Sequence, residues 1–323
     1  MALRWDLLMA APTSTHYYGA DPTQFVDCFV PTGIAPTGGW PTVILIAASG
    51  FSAVPTSGIW SNATQLNNTG CAAFCVSYRG DTSVAPIIPA FPMEINDIVA
   101  GAQWILAHAS TFGTSASTLH FIGGSAGGTL AGLAAAELLD LGINVASVQL
   151  LSSNTDWESA LQYYFDAYNN PSNHPELGTP AQAKALAATH IGNIANAYGV
   201  TSSQNTSTAG IGSLQWHDPN SGVTNSTPPT GSDIWTGAHY AEYSVAQRAS
   251  RKATRCWWNL YNSAQEEIPL QQPYYLMETL TNVGTMATLT IVPGSTHGWS
   301  LWPTGATAWT TTALTRFILQ TNH

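Results

Sequence analysis

The chain has 323 residues, 45% hydrophobic and only 8% charged, with a formal net charge of −10. That length and apolar content suit one large domain, or a core domain carrying a cap, and the negative balance argues against a nucleic-acid partner. Charged residues fall far below the roughly 25% of an ordinary soluble domain, so Thr, Ser, Asn, Gln and Gly must cover the surface. Such a surface reads either as a secreted or acid-exposed protein or as drift in a Thr- and Ala-rich genome. A secreted or extracellular location is preferred, although residues 1–12 show no signal-peptide pattern.

From residue 41 onward, apolar runs alternate with amphipathic stretches. Residues 43–46 (Val-Ile-Leu-Ile) read as a buried strand and residues 71–78 as a second. Residues 96–109 carry a helical pattern. Residues 119–122 form a short strand ending in glycines, 129–141 an Ala- and Leu-rich helix, and 145–151 a further strand. Alternation of this kind predicts an α/β fold with a mostly parallel sheet covered on both faces.

The pattern breaks over residues 154–255, which hold a helical piece at 180–198 and a Ser/Thr/Asn/Gly/Pro-rich loop at 201–232. A loop that long is usually functional or mobile, so 154–255 is read as a cap inserted between two core segments, 1–153 and 256–323. Strands at 256–261 and 287–292 and helices at 273–284 and 306–320 complete the core. No apolar run is long enough to span a bilayer. Cys28, Cys71, Cys75 and Cys256 match no zinc spacing and read as buried thiols before disulfides.

One motif carries chemistry. Gly123-Gly124-Ser125-Ala126-Gly127 fits Gly-x-Ser-x-Gly between a short strand and a helix, the context this motif requires. A sharp strand-to-helix turn there would expose the Ser125 hydroxyl, and the helix N-terminus would aim the Ala126 amide at a developing oxyanion. A serine hydroxyl needs a base. Of nine histidines, His297 follows the last strand in Pro293-Gly294-Ser295-Thr296-His297-Gly298, where a loop returns to the end of the sheet that carries Ser125. The remaining partner is a carboxylate that fixes the imidazole tautomer. After the strand at 256–261 come Glu266 and Glu267. Adjacent side chains point different ways, so only one should meet His297. Glu266 is preferred, Glu267 is expected to matter little, and Asp156 or Asp233 would serve if neither does.

These residues resemble the hormone-sensitive-lipase-like esterases, especially the branch with kynurenine formamidases and acetyl and feruloyl esterases. Tyr18-Gly19-Ala20-Asp21, residues 27–31, Tyr78-Arg79, Phe91-Pro92, Asp97, the elbow at 123–128 with Leu130-Ala131, and Glu266-Glu267-Ile268-Pro269 carry the likeness. It spans nearly the whole chain outside the insertion. It implies an α/β-hydrolase fold and a serine carboxylesterase with Ser125, His297 and Glu266 as its catalytic set, where Glu266 stands in for the usual Asp. The family's His-Gly-Gly-Gly loop is replaced here by Ala47-Ala48-Ser49-Gly50-Phe51. Ser49 and Gly50 then stand with Ala126 at the oxyanion site, with backbone amides in place of an all-glycine loop.

The substrate implied is a small acyl or aryl ester, free or polymer-linked, such as acetyl or feruloyl groups on plant polysaccharide or a polyester, with no metal and no cofactor. Formamide hydrolysis is the alternative within enzymes, and a binding protein on the same fold is the alternative outside them. Arg248, Arg251, Lys252 and Arg255 share one helical face, either as an anchor for an anionic surface or as a solvated helix end. The insertion's aromatic residues, among them Trp157, Tyr163, Tyr164, Phe165, Tyr168, Trp216, Trp235, Tyr240 and Tyr243, line a pocket or form the cap's own core.

Overall fold

The structure is a computed structural model. It describes residues 11–47, 50–52, 54–80, 91–197, 201–202, 214–217, 224–225, 243–249, 254–302 and 318. The strands are β1 (Ser14–Tyr17), β2 (Phe25–Phe29), β3 (Trp40–Ile46), β4 (Ala72–Val76), β5 (Thr114–Gly124), β6 (Val145–Leu151), β7 (Thr201–Ser202), β8 (Leu214–His217), β9 (Thr224–Asn225), β10 (Trp257–Ser263) and β11 (Ala287–Val292). The helices are α1 (Trp60–Asn68), α2 (Met93–Ala107), α3 (Ala109–Phe112), α4 (Ala126–Asp140), α5 (Trp157–Asn169), α6 (Pro180–Ala197), α7 (Val245–Ala249) and α8 (Gln271–Asn282).

Eight strands form one sheet in the order β1-β2-β4-β3-β5-β6-β10-β11. β1 pairs antiparallel with β2 and β2 antiparallel with β4, while β4, β3, β5, β6, β10 and β11 run parallel to one another. This is an α/β-hydrolase fold. Period-two alternation explains why the central strands read as unbroken apolar runs. Ile44 and Ile46 of β3 face one core with Ile98, Ile105 and Leu130, while Val43 and Leu45 face the other with Ile59, Leu66 and Trp302. Both faces are covered, so no polar alternation survives.

The order also locates a crevice. The chain leaves β3 toward β4 on one side and resumes at β5 on the other, so β3 and β5 flank the switch point with Ile46 beside Gly123. In open α/β sheets, ligands bind outside the carboxyl ends of strands at such a point. The loop after β3 and the turn after β5 both open there.

Some boundaries differ from the sequence reading. α2 starts three residues earlier than expected because Ile95, Ile98, Ala102 and Ile105 form one buried stripe from the first turn. β5 begins at Thr114, where polar residues pair edgewise with Trp40 through a bulge. The stretch expected as loop at 201–232 contains the short antiparallel set β7-β8-β9. These strands are two to four residues long, and the Gly, Pro and Ser around them hide that signal in the sequence. The expected helix at 306–320 lies outside the described residues apart from Ile318, which is helical and buried. All four cysteines are free and buried.

Candidate active site

Ser125 sits between β5 and α4 with φ 55° and ψ −130°, a conformation that L-residues avoid. The turn is tight enough to need glycine on both sides. A methyl on Gly123 would lie 2.2 Å from the Gly127 carbonyl oxygen, and one on Gly127 would lie 2.3 Å from that of Ala47. The Ser125 amide donates to Leu151 O at 2.8 Å, and its carbonyl accepts from the Gly128 and Thr129 amides. The elbow is therefore clamped to the neighbouring strand and to the first turn of α4. Ala126 heads that helix, where the leading amides have no intrahelical acceptor.

His297 lies on the loop after β11, pressed against the elbow. A methyl on Gly298 would stand 3.5 Å from Ser125 Cβ, and the Trp299 indole donates to Ile46 O at 3.1 Å, pinning this loop over β3. The loop after β10 runs beside it. Ala264 and Gln265 donate to Val292 O and Gly294 O at 2.8 and 2.9 Å, so the two loops continue the β10–β11 pairing past the sheet.

Glu266 projects from that loop into full burial. Its Oε2 lies 2.8 Å from His297 Nδ1, while its Oε1 accepts from the Ser152 hydroxyl at 2.9 Å and the Ser263 amide at 2.7 Å. Both carboxylate oxygens are thus committed, one to the imidazole and one to the strand ends of β6 and β10. Ser152 also has positive φ, 52°, directly after β6. Sequence reasoning missed Ser152 and Ser263; the available signal was a serine at each strand's carboxyl end.

Glu267 corrects the expectation that only one of the two glutamates meets His297. Its Oε1 lies 2.9 Å from His297 Nε2, so the imidazole carries a carboxylate at each nitrogen. Adjacent side chains can do this because they meet different nitrogens of the ring, Glu266 at Nδ1 and Glu267 at Nε2. Among the described residues, no hydrogen bond joins Ser125 to His297. Burial alone would lower the His297 pKa, but Glu266 and Glu267 together outweigh it and raise it to about 9. His190 and His297 hold the Glu267 carboxyl well below its usual range.

Ser125, His297, Glu267 and Gly50 line one cavity of about 560 Å³. One wall is apolar, with Ala47, Val54, Pro55, Ile59 and Trp299. The other comes from α6 with Thr189, His190 and Asn193. Gly50 lies against the Asn193 amide, while Ser49 is outside the described residues. Asp156, the fallback acid, instead caps α5 by accepting from the Ser159 amide at 2.9 Å, and Asp233 is outside the described residues.

The sequence model of the BD-FAE family, an α/β-hydrolase family, matches residues 26–207, more than half of the chain. The chain belongs to the BD-FAE family. Solved structures with the same fold include esterase B from Lactobacillus rhamnosis, with 18% identity and a TM-score of 0.60 over 97% of this chain and 88% of that one. Carboxyl esterase 2 from the fungus Tuber melanosporum aligns at 16% identity and TM-score 0.61, covering 93% and 83%. The Pyrobaculum calidifontis esterase aligns at 15% identity and TM-score 0.63, covering 92% and 80%. No curated protein sequence matches the chain significantly.

In this BD-FAE protein the aromatics of residues 154–255 divide. Trp157 and Tyr164 are buried in the core and do not line the cavity: Trp157 packs edge-on to Phe51 of the loop after β3, while Tyr164 stacks on His190. Trp235, Tyr240 and the Trp216 side chain are outside the described residues. The expected shared helical face does not hold at Arg255, which is exposed on a bend beyond α7; Arg248 on α7 pairs with Glu137 of α4, and Arg251 and Lys252 are outside the described residues. Among the described residues, no helix is long and apolar enough to cross a membrane.

Proposed function

We propose that this protein is a serine ester hydrolase working through an acyl-enzyme at Ser125. The observation that carries the reading is the shared cavity in which the strained Ser125 faces the loop of His297, with His297 Nδ1 held by the buried Glu266. In the reaction, Ser125 Oγ attacks the ester carbonyl while His297 takes the hydroxyl proton and passes it to the leaving alcohol. Water then adds to the acyl-serine by the same route, releasing the acid and restoring Ser125. The Ala126 amide, with those of Ser49 and Gly50, holds the oxyanion. Glu266 keeps Nδ1 protonated, so the lone pair belongs to Nε2.

The cavity's two walls support a substrate with an apolar acyl or aryl group and a hydroxylated leaving group, such as an acetyl or feruloyl ester of a polysaccharide. Acyl groups match the Val54, Pro55, Ile59 and Trp299 side, and alcohols match the polar side on α6. The charge-poor sequence supports an extracellular setting. The test is a hydrolysis screen over ester chain length, feruloyl and acetyl-sugar esters and N-formylkynurenine, with Ser125→Ala as control. Ester turnover lost at least ~10³-fold in Ser125→Ala is expected. Near-normal turnover in that variant, or exclusive cleavage of the formamide, overturns the reading.

A further inference from the structure

Glu267 has a partner at each carboxylate oxygen. Oε1 lies 2.9 Å from His297 Nε2, and Oε2 lies 3.7 Å from His190 Nε2. One histidine comes from the loop after β11 and the other from α6, so a single carboxylate bridges that loop and α6. Tyr164 holds both the partner ring and the Glu267 backbone. His190 stacks flat on Tyr164 at 4.4 Å with 2° between planes, and the Tyr164 hydroxyl donates to the Glu267 carbonyl at 3.0 Å.

The arrangement conflicts with base catalysis as it stands. Nδ1 of His297 serves Glu266, so Nε2 must supply the lone pair that takes the Ser125 proton. A carboxylate 2.9 Å from Nε2 favours a proton there instead. With both nitrogens donating, the ring is an imidazolium and cannot act as a base. We propose that Glu267 is a positioning residue acting through His297: it holds Nε2 away from Ser125 in the resting site and frees it by turning to His190. The proposal rests on the serine-hydrolase reading. In the step the Nε2–H bond breaks as Glu267 turns away: the proton passes to water and the electron pair stays on Nε2 as the lone pair that base catalysis needs.

Other charges near the ring do not compete. Glu266 is committed at Nδ1. Glu176 lines the adjoining hollow, but its Oε1 is engaged by the Tyr163 hydroxyl at 2.7 Å and His174 Nδ1 at 2.9 Å. The direction of the His297 and Glu267 shifts agrees with the geometry: each holds the other in its charged form.

The test is the rate at which a fluorophosphonate labels Ser125 as a function of pH, in wild type, Glu267→Gln and His190→Phe. Labelling needs neutral His297, so its acid limb reports that ring in the free enzyme. In Glu267→Gln the limb should move down by about one to two pH units, with labelling at pH 7 faster by roughly tenfold or more. In His190→Phe, Glu267 has only His297 left, so the limb should move up and labelling at pH 7 should slow. A residue with a merely structural role would change the rate evenly across pH. An unmoved limb in Glu267→Gln, or an unmoved or lowered limb in His190→Phe, overturns the proposal, and either variant decides it alone. Failure of wild type to label at any pH would instead strike at the serine-hydrolase reading.

Discussion

Glu266 spends one oxygen on His297 and the other on Ser152 and Ser263, so its position depends on two strand ends and not on its own loop. Glu266→Gln offers Nδ1 either an accepting amide oxygen or a donating amide NH2 and loses control of the tautomer. Turnover should fall by about 10²–10⁴-fold with KM nearly unchanged. Ser152→Ala removes one of two donors to Oε1, and steady-state kinetics should show roughly a tenfold lower kcat. A normal Glu266→Gln enzyme would rule out Glu266 as the acid and leave Glu267 as the remaining carboxylate on His297. The sequence made Ser125, His297 and the glutamate pair legible because each follows an apolar strand at the sheet's carboxyl edge. It did not make His190 legible, since a histidine inside an amphipathic helix carries no mark of what lies across from it. Nor could it show that His297 is held at both nitrogens, because adjacency in sequence says nothing about two side chains meeting one ring.

Among the elements, the parallel strands and α4 were the most readable, because burial on both sheet faces leaves continuous apolar runs and because Ala and Leu fill a helix packed on every side. Residues 154–255 were the least readable: α5 and α6 pack on each other, and their order in sequence does not reveal that α6 lines the cavity. The β5–α4 elbow sets the spacing of the whole site, since Gly127 touches the end of β3 and Gly123 touches Gly127. Gly127→Ala would drive a methyl to 2.3 Å from Ala47 O and 2.5 Å from Ile46 O, both backbone atoms that cannot yield alone. The expected loss is about 2–3 kcal/mol or more, read as a drop in Tm, with Ser125 labelling impaired in whatever remains folded. Gly58→Ala, whose added methyl meets nothing within 4 Å, is the control and should leave Tm unchanged. Equal Tm values for the two variants would mean that the elbow is looser than its contacts indicate.

For the whole molecule, scarcity of charge makes the site visible in global stability. Only 18 Asp and Glu and 8 Lys and Arg carry charge at neutral pH, beside 9 His, so a few coupled groups can shape the stability–pH curve. His297 is raised from 6.5 to about 9. A raised histidine contributes stability that is full below its unfolded value and lost as pH climbs through the folded one. Glu267 is depressed from 4.5, so its contribution is full above that value and lost only in stronger acid. The pair therefore stabilises the fold most between about pH 4.5 and 6.5, while base catalysis needs the neutral ring that forms at higher pH. Stability and activity optima should be offset, with stability on the acid side. Between pH 6.5 and 9 the wild type should lose at most roughly 3 kcal/mol from His297, at about 1.4 kcal/mol per unit. His174 is also raised, by Asp166 and Glu176 against the opposing effect of burial, and loses stability in the same direction. The comparison must therefore be a difference. Denaturant unfolding of wild type and Glu267→Gln from pH 5 to 10 cancels His174 and leaves the Glu267 contribution. The Glu267→Gln curve should fall less steeply above pH 6.5, because Glu266 alone then holds the imidazolium. Parallel curves would mean that Glu267 does not bear on His297 in solution, whatever their separation in the folded chain.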